Sequence, residues 1–218
     1  MARQRLVVVG AGGHGAEVSA YVQDIIAHGW DGELVGFLDD APNAAANGRV
    51  LGPLDTFVNC PADFFRDLCY LTALGSNPVR RKVVQRLDAL YGNRITAWKL
   101  IHPGCHLGTD VEIGEGSCLA PGSMITTRVR VGRHCILNIK ASISHDCAIG
   151  DFVNLNPGAT ICGNVEIGDG AYVGAGAVVK ERVAIGANTI VGAGAVVIRD
   201  VPAGVTVVGV PARIVKHE

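Results

Sequence analysis

Aromatic residues are scarce in this sequence, 5% of 218 residues against 49% hydrophobic overall, so a core must be assembled from Val, Ile, Leu and Ala. Such side chains suit many similar, thin layers. Charge of one sign is also lacking, since 19 Lys plus Arg face 20 Asp plus Glu for a formal net charge of −1. That balance excludes the basic footprint of a nucleic-acid or anionic-membrane binder and leaves small neutral or anionic ligands open. No stretch approaches roughly 18 unbroken apolar residues and no signal-peptide core opens the sequence, so a cytoplasmic protein with no membrane partner is expected. The seven cysteines are odd in number and show no CxxC or Cys/His metal spacing, which argues against a disulfide framework and a structural zinc.

What is present is a repeat. Stepping by six from Ile101 through Leu107, Ile113, Leu119 and onward to Val191 and Val197 meets a branched aliphatic every time. Four residues after each comes a second series, from Cys105 and Val111 through Cys135, Ala141 and Cys147 to Ala195 and Val201, in which every member is small or β-branched. Two inward residues flanking an outward one are the period-2 mark of a strand, so each hexad is a short strand plus a corner. One hexad cannot close a core alone. Successive units must wind into a coil whose turns pair as parallel strands, about 4.8 Å apart. Glycines after the aliphatic, such as Gly108 and Gly132, and near the corner, such as Gly116 and Gly158, are read as relief for tight bends.

In front of the repeat, "LVVVGAGGHGAEVSAYVQDII" reads as strand, Gly-rich turn and amphipathic helix, and "GELVGFLDD" as a second strand ending in two carboxylates. Gly10, Gly12 and Gly15 match the dinucleotide fingerprint, and Asp39 stands about where a ribose-binding acid would. Backbone N–H groups at a helix start can hold a phosphate, and a carboxylate at the next strand end can hold sugar hydroxyls. The alternative is a turn that only packs strand on helix. Further on, "DLCYLTALGS" reads as a strand, "NPVRRKVVQRLDALYG" as a helix and "RITAWKLIHP" as a strand entering the coil, with Arg80, Arg81 and Lys82 on a solvated helix face. A complete two-halved dinucleotide domain does not fit in 1–98, which leaves a small nucleotide-binding α/β unit.

The repeat is interrupted by a polar triplet, Ser144-His145-Asp146. His145 and Asp146 are third and fourth in their hexad, which places both at an outward corner. If a coil takes 18 residues, Gly163 stacks beside His145 and leaves a notch with a backbone N–H. An imidazole can take a proton from an amine or hydroxyl near neutrality while an adjacent carboxylate orients it, and an aimed N–H can stabilise a thioester oxyanion. Corners elsewhere read as Gly-Glu, Gly-Asp or Ala-Asn pairs, without such a base. No two of His102, His106, His134 and His145 are spaced to stack, so a three-histidine zinc site is not expected.

The motifs "VVVGAGGHGAEV", "GFLDD", "LIHPGC", "CILNIKASISHDCAIGDFV", "NPGATICGNVEIGDGAYVGAGAVV" and "VIRDVPAGVTVVGVPARIV" together resemble the left-handed β-helix sugar acyltransferases with a small nucleotide-sugar-binding domain. That group includes the bacillosamine-type and perosamine-type N-acetyltransferases and the sialic acid O-acetyltransferases. The resemblance implies a Rossmann-like α/β half domain over 1–98, a left-handed parallel β-helix over 99–218, a homotrimer, acetyl-CoA as co-substrate with no metal, and a nucleotide sugar as acceptor. It implies His145 as general base with Asp146 as its partner, and Gly163 as donor to the thioester carbonyl. Gly174, Ala175, Gly176, Gly192, Ala193, Pro211 and Arg213 would line an acetyl-CoA groove between subunits. Gly12, Gly13, His14, Asp39 and Asp40 would hold the nucleotide, and Asn138 and Asn154 would face the acceptor sugar. Close relatives often carry a second histidine where this chain has Asn154, and a Thr-Gly pair in place of Ile139-Lys140. The implied reaction is N-acetylation of a nucleotide-linked amino sugar; O-acetylation of a sugar hydroxyl and a non-catalytic trimeric nucleotide-binding scaffold are the alternatives.

Overall fold

The computed structural model describes residues 3–41 and 48–217. They form two compact units, Met1–Pro103 and Gly104–Glu218. In the first unit His102 Nε2 lies 3.0 Å from Asp24 Oδ2 and its ring meets Tyr21 edge-on.

In the first unit β1 (Gln4–Val9), α1 (Gly13–Ala27), β2 (Gly32–Leu38), β3 (Val50–Gly52), β4 (Leu68–Thr72), α2 (Asn77–Tyr91) and β5 (Thr96–Ala97) follow in order. The strands make one parallel sheet in the order β3-β2-β1-β4-β5. Central β1 contributes Leu6, Val7, Val8 and Val9, all at most 2% exposed, as the continuous apolar run of a strand covered on both faces. The α2 helix corrects one reading. Arg80 is not solvated but 0% exposed, because it shares the helix stripe of Asn77, Val84, Leu87 and Tyr91; its guanidinium donates to the Leu74 carbonyl at 2.7 Å.

The second unit is a left-handed parallel β-helix whose short strands stack on three faces. One face carries Cys118–Leu119, Ile136–Leu137, Asn154–Leu155, Tyr172–Val173 and Ile190–Val191. The next carries Met124–Ile125, Ser142–Ile143, Thr160–Ile161, Val178–Val179 and Val196–Val197, and the third Val129–Val131, Ala148–Ile149, Glu166–Ile167 and Ala184–Ile185. Pairings such as Ile125↔Ile143, Val131↔Ile149 and Leu137↔Leu155 fix a step of 18 residues per coil. The aliphatic series fills the axis, with Leu119, Ile125, Leu137, Leu155 and Ile161 at 0% exposure, whereas Leu107, whose strand is the last of its sheet, is 37% exposed.

Corners follow one rule. From Asp110 to Gly194 every sixth residue has positive φ, whether Gly116 (73°), Asp146 (60°) or Arg182 (61°). From Gly122 onward the amide there donates to a carbonyl in the coil below, as Asp146 N–H does to Thr127 O at 3.1 Å. Only the corner glycines therefore answer to bending. Those after the aliphatic are required by close approach: a Cβ at Gly186 would lie 2.2 Å from Ala203 N, and one at Gly174 2.5 Å from Ala193 N. The corner reading also needs correcting at His134, a second corner histidine (φ 54°). It is 5% exposed and stacked on Phe152 at 5.1 Å, so it belongs to the interior of its edge.

Candidate active site

His145 and Asp146 lie between the second and third faces, on an edge that faces solvent, with side chains 53% and 30% exposed. His145 Nδ1 is 2.7 Å from Asp146 Oδ2. An ionised carboxylate only accepts, so Nδ1 carries the ring proton and Nε2 presents a lone pair. A Cβ at Gly163, on the coil above, would lie 2.6 Å from His145 Cε1 and 2.7 Å from Nε2, so only glycine leaves the ring its place. The Gly163 carbonyl accepts from Arg182 N–H, and among the described residues its own N–H donates to no group. Imidazole, carboxylate and spare N–H donor thus share one notch.

A residue not foreseen completes the corner. Arg128, 18 positions before Asp146, donates from Nε to Oδ1 at 2.6 Å and from Nη2 to Oδ2 at 3.0 Å. This pairing, with the His145 contact second, holds the Asp146 carboxyl down at about 2, and the carboxylate in turn raises the guanidinium. The 18-residue step that placed Gly163 above His145 would also have placed Arg128 below Asp146. A groove of about 490 Å³ opens beside this edge, lined by Asp110, Glu112, Arg128, Arg130, Asp146, Cys147 and Ala148.

The remaining candidates are dispersed within one copy. Gly174, Ala175, Gly176, Gly192 and Ala193 sit on the edge between the first and second faces, not on the edge of His145. Val210–Pro211 is a cis peptide, and Arg213 lines a groove of about 300 Å³ with Ile198, Arg199 and Ala212. Asn138 belongs to the first edge and its Oδ1 accepts from Ile139 N–H at 2.7 Å, while Asn154 lies on the first face, 3% exposed. Among the described residues no three His, Cys, Asp or Glu side chains gather in a way that could hold a metal ion.

In the first unit the fingerprint glycines divide by role. Gly15 packs helix on strand, since its Cβ would lie 2.2 Å from Gly10 O, and Gly10 (φ 105°) turns the chain against Ala73. Gly12 and Gly13 have open space where a side chain would stand. Both oxygens of Asp39 accept backbone N–H groups, from Ala11 at 2.7 Å and Ala41 at 2.8 Å, so it braces the turn from the end of β2. Asp40 is held by Arg86 and by Leu54 N–H. His14 Nδ1 lies 2.9 Å from Glu17 Oε2.

These two units match two families in the same order: residues 5–87 match the PglD N-terminal domain, and 146–181 and 164–199 the bacterial transferase hexapeptide of six repeats. Among solved structures, WeeI from Acinetobacter baumannii is 37% identical over 97% of this chain and 100% of that one, with a TM-score of 0.84. The acetyltransferase domain of PglB from Neisseria gonorrhoeae, in complex with acetyl coenzyme A, is 32% identical over 98% and 100%, with a TM-score of 0.87. The chain belongs to the hexapeptide-repeat sugar acetyltransferases. Another sugar acetyltransferase of this kind, perosamine N-acetyltransferase from Caulobacter crescentus, as a histidine-to-asparagine variant in complex with CoA and GDP-perosamine, is 30% identical over 100% and 99%, with a TM-score of 0.87. No curated protein matches this acetyltransferase by sequence.

Proposed function

We propose that this acetyltransferase moves the acetyl group of acetyl-CoA to the amine of a nucleotide-linked amino sugar, a UDP-, GDP- or dTDP-4-amino-4,6-dideoxy sugar. Relatives bound to acetyl-CoA and to CoA with GDP-perosamine support the two substrate classes. The observation that carries the reading is a solvent-facing imidazole with Nδ1 on Asp146 and Nε2 toward the side-chain-free Gly163. In a ternary complex His145 Nε2 takes the proton shed by the attacking amine, directly or through water, and returns it to the departing thiolate. The C–N bond forms as the C–S bond breaks. Gly163 N–H donates to the carbonyl oxygen as negative charge grows there.

The same reading gives the acetyl-CoA groove to Gly174, Ala175, Gly176, Gly192, Ala193, Pro211 and Arg213 of one copy facing the His145 edge of another, in a homotrimer. The separation of those edges within one copy supports it. Gly12, Gly13, His14, Asp39 and Asp40 hold the nucleotide, with Asp39 also bracing the loop at Ala11, and Asn138 and Asn154 stand on the acceptor side. This reading puts the reaction in the cytoplasm, on the ground that acetyl-CoA is supplied there. No helix among the described residues is long and apolar enough to cross a membrane.

The test is thiol release from acetyl-CoA with a panel of UDP-, GDP- and dTDP-4-amino sugars. His145→Ala is expected to lower kcat by at least about a hundredfold with acetyl-CoA affinity retained. An undiminished variant would remove His145 as base. Release with hydroxyl sugars alone would replace N- by O-acetylation, and no release with any acceptor would favour a non-catalytic scaffold.

A further inference from the structure

We infer that Arg128 is a positioning residue for acetyl transfer, its guanidinium clamping Asp146 from one coil below so that the carboxylate holds His145 with Nε2 outward. This rests on His145 serving as the base.

Arg128 occupies the same left-handed corner position as Asp146, at φ 52° and 60° respectively. Each corner amide is tied to the coil beneath, Arg128 N–H to Thr109 O and Asp146 N–H to Thr127 O, so the two Cα atoms are held in register by the backbone. The guanidinium meets both carboxylate oxygens, at 2.6 and 3.0 Å, and one of these oxygens also meets His145 Nδ1 at 2.7 Å. A planar fork on a carboxylate sets its plane as well as its position. The ring is 53% exposed, and without a fixed carboxylate it would sample rotamers in solvent. An exposed ion pair adds little to stability, so the effect of this one is to be sought in geometry and in the base.

The surrounding charges fix the sign. Among the described residues Asp146 is the one carboxylate in contact with His145, and its carboxyl at about 2 leaves it ionised wherever an imidazole titrates. Arg128 offsets that negative charge and is itself faced by Asp110 from the coil below. From the coil above come only Gly163 and Asn164, with Lys180, Glu181 and Arg182 one coil further along the edge; Glu112 and Arg130 flank the groove, and the neighbouring thiols are Cys147 and Cys162. Removing the guanidinium frees the full carboxylate charge to favour the protonated ring, so titration of the base moves to higher pH. Removing the carboxylate moves it lower.

Imidazole resonances of ¹³C-histidine-labelled protein, with His145 assigned by its loss in His145→Ala, read this without any acceptor. Arg128→Met should raise the His145 midpoint by about half a pH unit, Arg128→Lys should stay near the parent, and Asp146→Asn should lower it. In the panel assay Arg128→Met should reduce kcat about tenfold with KM for acetyl-CoA unchanged and the acid limb displaced upward, and Arg128→Lys should restore the limb but only part of kcat. A midpoint that stays put or falls in Arg128→Met, or kcat equal to the parent's, overturns the inference while leaving an inactive His145→Ala to support the base. Full activity in His145→Ala overturns both. A purely structural arginine would lower Tm and leave the midpoint where it was.

Discussion

At Gly163 a single hydrogen atom in place of a methyl group decides whether the His145 ring can keep its place. The missing Cβ would stand 2.6 Å from Cε1 of His145, inside van der Waals contact with a ring that Asp146 holds from the other side. Gly163→Ala is therefore expected to keep the fold, because the residue's φ is not positive, while tilting the imidazole off Asp146. We expect kcat to fall about tenfold or more with Tm within a few degrees of the parent, measured by thiol release and by calorimetry. Equal kcat would mean that the notch has room to spare. Arg128 and Arg80 show what residue-scale reading of a sequence misses. Each is a charged side chain whose partner lies one coil away or in the loop before its helix, and its chemistry alone suggests solvent. Arg128 was within reach of the same arithmetic that found Gly163, applied in the opposite direction.

At the scale of the hexad, two kinds of glycine carry different burdens that composition does not separate. Gly158 (φ 69°) meets nothing within 4 Å at its absent Cβ, whereas Gly186 would place that atom 2.2 Å from Ala203 N in the adjoining turn. Gly158→Ala should cost about 1 kcal/mol, the penalty of a left-handed L-residue, and Gly158→Asn less. Gly186→Ala must force paired backbones apart and should cost more than 3 kcal/mol, at the upper end of point-mutant effects. Chemical denaturation of the variants measures the difference; equal losses would refute the distinction. The strand and its inward pair were legible because a period of six in branched aliphatics has one simple realisation, a strand plus a corner. The sign of φ at each corner was not, since Asp, Arg, His, Lys, Phe and Asn all occupy it, and backbone bonding to the coil beneath overrides their reluctance.

For the whole molecule, the two edges that one copy keeps apart become the test of assembly. If acetyl-CoA lies between the Gly174–Gly176 edge of one copy and the His145 edge of the next, heterotrimers of two inactive variants regain working sites. Co-expression of His145→Ala with Ala175→Trp, at an exposed position of that edge, should restore a measurable fraction of activity, where separately purified and unmixed variants show none. Absence of recovery in verified mixed trimers would place each site within a single copy. The order of the units and the stacking of the second into coils were readable in advance from local periodicity, whereas three strands per coil and the left hand came only from the family resemblance. The setting of Asp39 and Asp40 was less so: their oxygens go to the protein's own N–H groups and to Arg86, a use that spacing does not disclose. The step of 18 residues between Arg128 and Asp146 has one more outcome. A body wound this way can be lengthened only in whole turns, since any other insertion rotates all that follows onto the wrong side. A full turn spliced between those two residues would be absorbed without damage to the winding, yet it would pull guanidinium and carboxylate apart by about 4.8 Å. The enzyme's length is thus free to drift along most of its axis and is pinned at that seam.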